Sequence, residues 1–539
     1  MGAWSVRCGR GWYDWEDRDP VPFRWMGPEA DLHLPAGRRP GSRCLLIVAR
    51  HLFSDRPSPR LEAFLDGRPI GRTGEVPTRF TSLLFPLAGG DEAIVSLKLD
   101  RSFDDPAGGR ALGLMVQRAE MIDPEAQEDP IFGGGWYDWE REEASVFRWM
   151  DRRGDILLPR SRVRAHRFLT IPMFLGFHDV GQEMTLSHRG RPLATWPVIR
   201  GWGHYGLDLE PLRERMEPGL PLVLDLELNK LLPAEHHAGD GRDLGVRVAP
   251  LEFHDDASWH EESAFFRRNA LASHEEMKAG RTVLTSYPLS LGIDLYGRCN
   301  ISPPCVYCLW DEMKDMEGER VEAPVDEDAL RGYGPFFWSA RTLVNCSFGE
   351  PLLHPRMEGI MDLLADRRKV VELSTNGQAF SPRAIRALAG RPVHLYVSLD
   401  AASKETYARI RNDRWDDIVA SLERLNEARQ RAGRLPKIFL VFIPMRVNAG
   451  DLEAYFRLAA RIDADKVVLR PLQYPSRAKP PIERGGYLFD FAREALGREE
   501  LRDLFERAKE LSKLYRVEVA NQFDFGKPPE NDGETRGEA

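Results

Sequence analysis

From residue 285 onward, short apolar runs alternate with segments of helical period, and each run ends in polar or glycine-containing residues. Thr342-Leu-Val-Asn-Cys-Ser-Phe leads into Gly349-Glu350-Pro351, and Lys369-Val-Val-Glu-Leu-Ser into Thr375-Asn376-Gly377. Val393-His-Leu-Tyr-Val leads into Ser398-Leu-Asp400, Lys437-Ile-Phe-Leu-Val-Phe-Ile into Pro444-Met-Arg446, and Lys466-Val-Val-Leu into Arg470. Between them, Met357 to Asp366, Pro382 to Ala389 behind an N-cap at Ser381, Trp415 to Arg431 and Asp451 to Ile462 carry apolar residues at helical spacing. Strand–helix alternation calls for parallel strands joined by helical crossovers, closed or partly closed as a barrel. Sites in such sheets lie at the carboxyl ends of the strands, so these polar ends are expected to meet at one mouth.

Beside that mouth the sequence places three cysteines, Cys299, Cys305 and Cys308, directly after the apolar stretch Leu289-Ser-Leu-Gly-Ile-Asp-Leu-Tyr. Three thiolates from one loop suit three irons of a four-iron cluster and leave the fourth iron open to a substrate or cosubstrate. Zinc is the alternative, with Cys346 or His354 as fourth ligand. Cys346 otherwise reads as a small buried core residue.

The order of these features resembles the radical S-adenosylmethionine (radical SAM) enzymes. The resemblance runs from about Ser286 to Leu472 and rests on five motifs. They are the Ser286-Tyr-Pro-Leu-Ser-Leu lead-in, Arg298-Cys-Asn with the cysteine loop, Phe348-Gly-Glu-Pro-Leu-Leu-His-Pro, Ser374-Thr-Asn-Gly, and Val397-Ser-Leu-Asp-Ala-Ala-Ser-Lys-Glu-Thr-Tyr-Ala-Arg-Ile-Arg. The family's usual loop is Cys-x3-Cys-x2-Cys; here residues within Ser302-Pro303-Pro304 lengthen the first gap. No cysteine follows Cys346, so one cluster is expected, without the auxiliary clusters of related enzymes.

The resemblance implies roles. Cys299, Cys305 and Cys308 ligate a 4Fe-4S cluster whose open iron is chelated by the amino and carboxylate groups of SAM. Tyr307 packs near the adenine. Gly349 and Glu350 meet the methionine ammonium, Ser398 and Asp400 the ribose hydroxyls, Arg411 the methionine carboxylate, and Thr375 and Asn376 line the pocket. An electron from a partner such as flavodoxin or ferredoxin then yields a 5′-deoxyadenosyl radical that takes hydrogen from the substrate. Each residue also has a plainer reading: a helix-end carboxylate for Glu350, a helix cap for Ser398 and Asp400, a solvated helix face for Arg411. Arg446 and Arg470 are candidates to hold an anionic substrate or to make structural ion pairs.

The N-terminal half repeats itself. Gly11-Trp-Tyr-Asp-Trp-Glu recurs at Gly135, Phe23-Arg-Trp-Met at Phe147, and Leu34-Pro35 at Leu158-Pro159, all at one constant offset. Each copy holds short strand candidates separated by turns such as Asp66-Gly-Arg-Pro and Arg189-Gly-Arg-Pro, the pattern of an antiparallel β-sandwich. The copies are similar to small sandwich modules of bacterial surface-polysaccharide proteins. Their aromatics, Trp12, Tyr13, Trp15 and Trp25 with Trp136, Tyr137, Trp139 and Trp149, are read first as core and only second as sugar-stacking platforms. His236 and His237 read as a solvated loop.

The expected fold is therefore multidomain: two antiparallel β-sandwich modules (1–122 and 123–254), a linker helix (255–284), an α/β partial (β/α)6 TIM-like radical SAM barrel (285–524) and a disordered tail (525–539). A net charge of −9, from 75 Lys+Arg against 84 Asp+Glu, leaves no basic footprint for nucleic acid. No run of ~18 apolar residues spans a membrane and no signal h-region opens the chain. A low-potential cluster needs a reducing compartment, so the cytoplasm is expected. The expected substrate is a sugar, sugar nucleotide or surface glycan, which fits polysaccharide biosynthesis. A modified peptide is the alternative, and a non-catalytic glycan-binding scaffold the third reading.

Overall fold

The computed structural model describes residues 6–16, 22–35, 43–88, 92–105, 109–142, 145–176, 181–233, 242–308, 324–345, 349–473 and 480–523. Cys346, His236, His237, residues 474–479 and the tail after 523 lie outside them. The chain divides into two compact units, Met1–Leu271 and Ala272–Ala539. Among the described residues no helix is long and apolar enough to cross a membrane.

The second unit is built on a parallel sheet of seven strands in sequence order: Ser290–Ile293, Thr342–Asn345, Val370–Thr375, Val393–Ser398, Lys437–Phe442, Lys466–Leu469 and Glu518–Asn521. Six strands were expected. The seventh, Glu-Val-Ala-Asn, is short and half polar, and the helix Arg498–Tyr515 delivers it to the edge. Side chains alternate across this sheet. Val371, Leu373, Val393, Leu395, Val397, Ile438, Leu440, Val467 and Leu469 point into one apolar core. The helices Met357–Asp366, Pro382–Leu388, Trp415–Arg431, Leu452–Arg461 and Arg498–Tyr515 bury their apolar stripes in the same core. The opposite face carries Glu372, Ser374, His394, Tyr396, Ser398, Lys466 and Arg470, all half-buried. Parallel sheets are ordinarily covered by apolar contacts on both faces. Phe439, Val441 and Val468 are buried among these polar residues, so this face is mixed.

Two buried cations fix the amino-terminal edge of this sheet. Arg429, fully buried, reaches Asp465 at 2.5 Å and the Pro436 carbonyl at 3.2 Å. Lys369 Nζ donates to the Phe337 and Ala340 carbonyls at 2.6 and 2.7 Å. Each charge is satisfied, as burial demands.

In the first unit, each repeat copy forms two antiparallel sheets, five and five strands in the first copy and five and six in the second, where Glu252–His254 adds to Phe168–Leu175; the shared strands follow one order in both copies. In the first copy Arg7–Cys8, Glu29–Leu34, Ala93–Leu99, Arg60–Leu65 and Arg68–Glu75 make one sheet. Trp12–Glu16, Phe23–Met26, Leu114–Ile122, Arg43–Arg50 and Thr81–Leu87 make the other, and both sheets supply one core. The repeated motif has a physical explanation. Gly11 and Gly135 sit at φ +83 and +79, where a Cβ would strike the Glu29 and Arg153 carbonyl oxygens at 2.0 and 1.8 Å. The next residue then donates its indole N–H to the same strand: Trp12 to Asp31 O and Trp136 to Asp155 O, both at 2.8 Å. Arg24 and Arg148 donate Nε to Tyr13 O and Tyr137 O at 2.8 and 2.6 Å. The aromatics divide accordingly. Trp25 and Trp136 are core residues at 4% exposure, whereas Trp15 and Trp139 stand 44% and 45% exposed.

The two modules are not independent. Cys44, Leu46, Val48 and Ile122 of the first share an apolar cluster with Ile131 and Leu157 beyond them. At its edge the buried Asp155 carboxylate accepts from Ser82 N (2.9 Å), Ser82 Oγ (2.6 Å) and Gly134 N (3.0 Å). Burial pushes Asp155 up to about 6 against those hydrogen bonds. Its folded pKa thus exceeds the unfolded value of ~3.9, so its stabilisation is full below that value and is lost as pH rises through about 6. In a fragment spanning residues 1–278, Asp155→Ala should cost about 2–4 kcal/mol at pH 5 by denaturant unfolding, because three donors, one of them buried, lose their acceptor. The gap from wild type should narrow at pH 7.5.

Candidate active site at the carboxyl edge of the parallel sheet

The candidate side chains lie at strand ends or in the loops beyond them, apart from Arg411, which ends the helix Lys404–Ile410. The cysteine loop follows the strand Ser290–Ile293. It is pinned by Val306, 1% exposed, which packs with Ile410, Met445, Phe489 and Phe491 and donates its N–H to Ile410 O at 3.1 Å. Cys308 N closes a turn onto Cys305 O at 2.9 Å. Cys299 is exposed, Cys305 and Cys308 are partly buried, and none of the three is in a disulfide. Burial first, then Cys308, Asp400 and Cys299, push the Cys305 thiol up to about 11, while Arg411 pulls it down. Arg411 Nη1 lies 3.4 Å from Cys305 Sγ, and Asn376 Nδ2 lies 3.6 Å from Cys299 Sγ.

Gly349 is where the second strand's exit meets this loop. A Cβ there would stand 2.4 Å from Tyr296 O and 2.6 Å from Arg298 O, and Glu350 N donates to Arg298 O at 2.6 Å. Glycine is therefore required by backbone packing. Glu350 is fully buried. Its Oε1 accepts from Thr375 Oγ1 (2.7 Å) and Leu352 N (3.1 Å), and its Oε2 from Asn376 N (2.7 Å). Burial pushes it up to about 7 against these bonds. Three donors leave one of a carboxylate's ~4 lone-pair positions open. Thr375 and Asn376 act by holding Glu350; Asn376 Nδ2 also donates to Asn300 Oδ1 at 2.8 Å.

Asp400 and Arg411 meet each other rather than open space. Asp400, fully buried at φ +58, accepts at Oδ2 from Arg411 Nη2 (2.7 Å) and Nε (3.2 Å). Its Oδ1 accepts from Ile443 N at 2.9 Å. The Tyr307 hydroxyl completes the group, donating to Asp400 Oδ2 and accepting from Arg411 Nη2. Burial raises the Tyr307 pKa, which keeps that proton in place. Ser398 ends the fourth strand, half-buried on the polar face.

Sequence reasoning missed several members of this site. Asn448, fully buried, donates to Asp400 O (2.8 Å) and Ile443 O (2.9 Å). Gln378 Nε2 bridges Tyr407 and Asn412 at 3.2 and 2.9 Å. Arg484, on the hairpin Ile482–Arg484 and Tyr487–Phe489, donates to Arg411 O at 3.1 Å and to Pro304 O, so this hairpin lies on the cysteine loop. Single polar residues in loops carry no spacing signal. Of the two arginine candidates, Arg446 forms an exposed two-point ion pair with Glu500 at 3.0 and 3.1 Å, while Arg470 stacks 4.9 Å from the Tyr396 ring on the polar face.

The donor set fits a cluster. Three thiols of one loop interact electrostatically, yet among the described residues no three His, Cys, Asp or Glu side chains converge on a single ion. Three thiols of one loop suit three irons of a cubane cluster. His354 Nδ1 accepts from Arg356 N at 3.0 Å, and the ring packs edge-on against Tyr296.

Residues 293–459 match the Radical SAM superfamily. This segment is a radical SAM domain. Such domains work with a 4Fe-4S cluster and SAM. Over 131 residues the chain is 32% identical to the S-adenosyl-L-methionine-dependent tRNA 4-demethylwyosine synthase of Arabidopsis thaliana, covering 23% of this chain and 19% of that protein. The chain thus spans about a fifth of its curated relative. Among solved structures, Streptococcus suis SuiB bound to precursor peptide SuiA is 14% identical with a TM-score of 0.38, covering 54% of this chain and 59% of that one. The anSMEcpe protein with bound AdoMet and Cp18Cys peptide is 18% identical with a TM-score of 0.32, covering 43% and 63%.

Removing one partner of a buried ion pair strands the other charge. Arg411→Ala is expected to destabilise the radical SAM domain by about 3–5 kcal/mol in denaturant unfolding. A residue that only contacted ligand would leave the unliganded protein's stability unchanged.

Proposed function

We propose that this chain is a radical SAM enzyme that cleaves SAM reductively and abstracts hydrogen from a polar substrate. The observation that carries the reading is the meeting of three cysteines of one loop, a buried carboxylate with an open position and a buried arginine at one edge of a parallel sheet. Cys299, Cys305 and Cys308 hold the cluster. Glu350, kept in place by Thr375 and Asn376, accepts the methionine ammonium in its remaining position; Gly349 brings it there. Arg411, oriented by Asp400, presents positive charge beside Cys305 toward the methionine carboxylate. Tyr307 packs by the adenine and Ser398 faces the ribose. When bound, the cluster and SAM supply the electron transfer and the hydrogen-abstracting radical.

The polar face of the sheet is read as the inner wall of a partial barrel. Its mixed lining of Glu372, His394, Tyr396 and Arg470 suits a sugar or sugar nucleotide better than an apolar substrate. A low-potential donor such as a flavodoxin or ferredoxin supplies the electron, in a reducing compartment.

Anaerobic reconstitution should give about four irons and four sulfides per chain, and the reduced protein should cleave SAM. A stoichiometric zinc content, or about eight irons, contradicts the reading. Glu350→Ala should retain the iron and weaken SAM binding by about 1.5–3 kcal/mol in calorimetry, the worth of a charge-assisted hydrogen bond.

A further inference from the structure

Outside the radical SAM domain, the first unit contains a cavity of about 520 Å³, within the range of small-ligand sites. Its walls come from both repeat copies and the segment between them. Arg118 belongs to the strand Leu114–Ile122, Gln127 and Asp129 to the connection, and Phe132, Trp139 and Arg148 to the second copy. A register shift between Val116 and Arg118 interrupts the pairing of that strand with Arg43–Arg50. Such irregularities re-aim side chains.

The aromatic wall is organised. Phe132 and Trp139 meet edge-on, with ring centres 5.4 Å apart at 81°. The Arg148 guanidinium lies over both rings, 5.2 and 5.3 Å from their centres. Its Nε is committed to Tyr137 O, which fixes the plane of the fork. Arg118 is neutralised by Glu120 at 2.6 Å. Burial pulls Arg148 down to about 10, so this cation lacks full solvation. Trp139 remains 45% exposed beside the cavity.

The first copy supplies an internal comparison. Trp15 and Arg24 repeat the exposed indole and its guanidinium, at 5.6 Å. At the constant offset of the repeat, however, Cys8 stands where the second copy has Phe132. The indole–arginine pair is thus common to both copies, and the aromatic corner belongs to the second.

We propose that this cavity binds an acidic saccharide of the uronic-acid type. The apolar C–H face of a pyranose ring lies on the free part of Trp139. Its hydroxyls meet the Asp129 carboxylate and the Gln127 amide, and its carboxylate meets the terminal nitrogens of Arg148 in a forked contact. The site lies within the first unit and does not rest on the radical chemistry.

The test is binding of oligogalacturonate, a neutral galacto-oligosaccharide of equal length, and inorganic phosphate to the full chain, followed by calorimetry and tryptophan fluorescence. The uronate oligomer should bind and the neutral oligomer should bind at least about tenfold more weakly, the worth of one charge-assisted contact. Trp139→Ala, at an exposed position, should weaken uronate binding about tenfold or more; Trp15→Ala should leave it unchanged. Arg148→Gln should abolish the preference for the acidic oligomer. No uronate binding, equal binding of the neutral oligomer, phosphate binding as tight as uronate, or an unaffected Trp139→Ala variant would each overturn the proposal.

Discussion

The buried ion pair of Asp400 and Arg411 holds the site together. Both side chains are almost wholly removed from water, at 0% and 4% exposure, a placement that costs several kcal/mol per charge before compensation. Compensation here is spatial as well as energetic. Asp400 is reached from the fifth strand's exit through Ile443 N, from Asn448 through its own carbonyl, and from the cysteine loop through Tyr307. Arg411 ends the helix Lys404–Ile410 and touches Cys305. One pair of charges therefore sets the relative positions of two strand exits, a helix end and the cysteine loop. Its left-handed backbone at Asp400 is strain that these contacts over-determine.

Glu350 performs the same service on the other side of the loop. It ties the second strand's exit to the third through Thr375 and Asn376, and Asn376 continues to Cys299 and Asn300. The two carboxylates thus flank the thiols, one neutralised within the protein and one with an acceptor position to spare. Under the proposed function, that asymmetry leaves Glu350 as the position for the ammonium of a zwitterionic ligand.

Much of this was legible in the sequence, for particular reasons. Strand exits were readable because apolar runs with period 2 end abruptly in polar residues, as at Leu373-Ser-Thr375-Asn376. Helices Met357–Asp366 and Trp415–Arg431 were readable from their apolar stripes. The strand Glu518–Asn521 was not, because four residues at a sheet edge carry no strong periodicity. The role of Gly349 was legible as a glycine but not as a close approach of backbone to backbone, which only three dimensions show. Asp400 and Arg411 were legible as candidate positions; their mutual pairing was not, since they stand eleven positions apart across a turn and a helix. In the modules, the repeated Gly-Trp-Tyr-Asp-Trp could not reveal which indole enters the core. That choice depends on the hydrogen bond from Trp12 or Trp136 to the facing strand.

The central claim is that the three thiols hold a cluster whose remaining iron takes SAM directly. Electron paramagnetic resonance of the reconstituted, reduced protein, recorded with and without SAM, tests it most directly. The account predicts a single 4Fe-4S signal whose g-values and line shape change on adding SAM, and a loss of that response in Glu350→Ala. A signal that SAM leaves unaltered in the wild-type protein would contradict it.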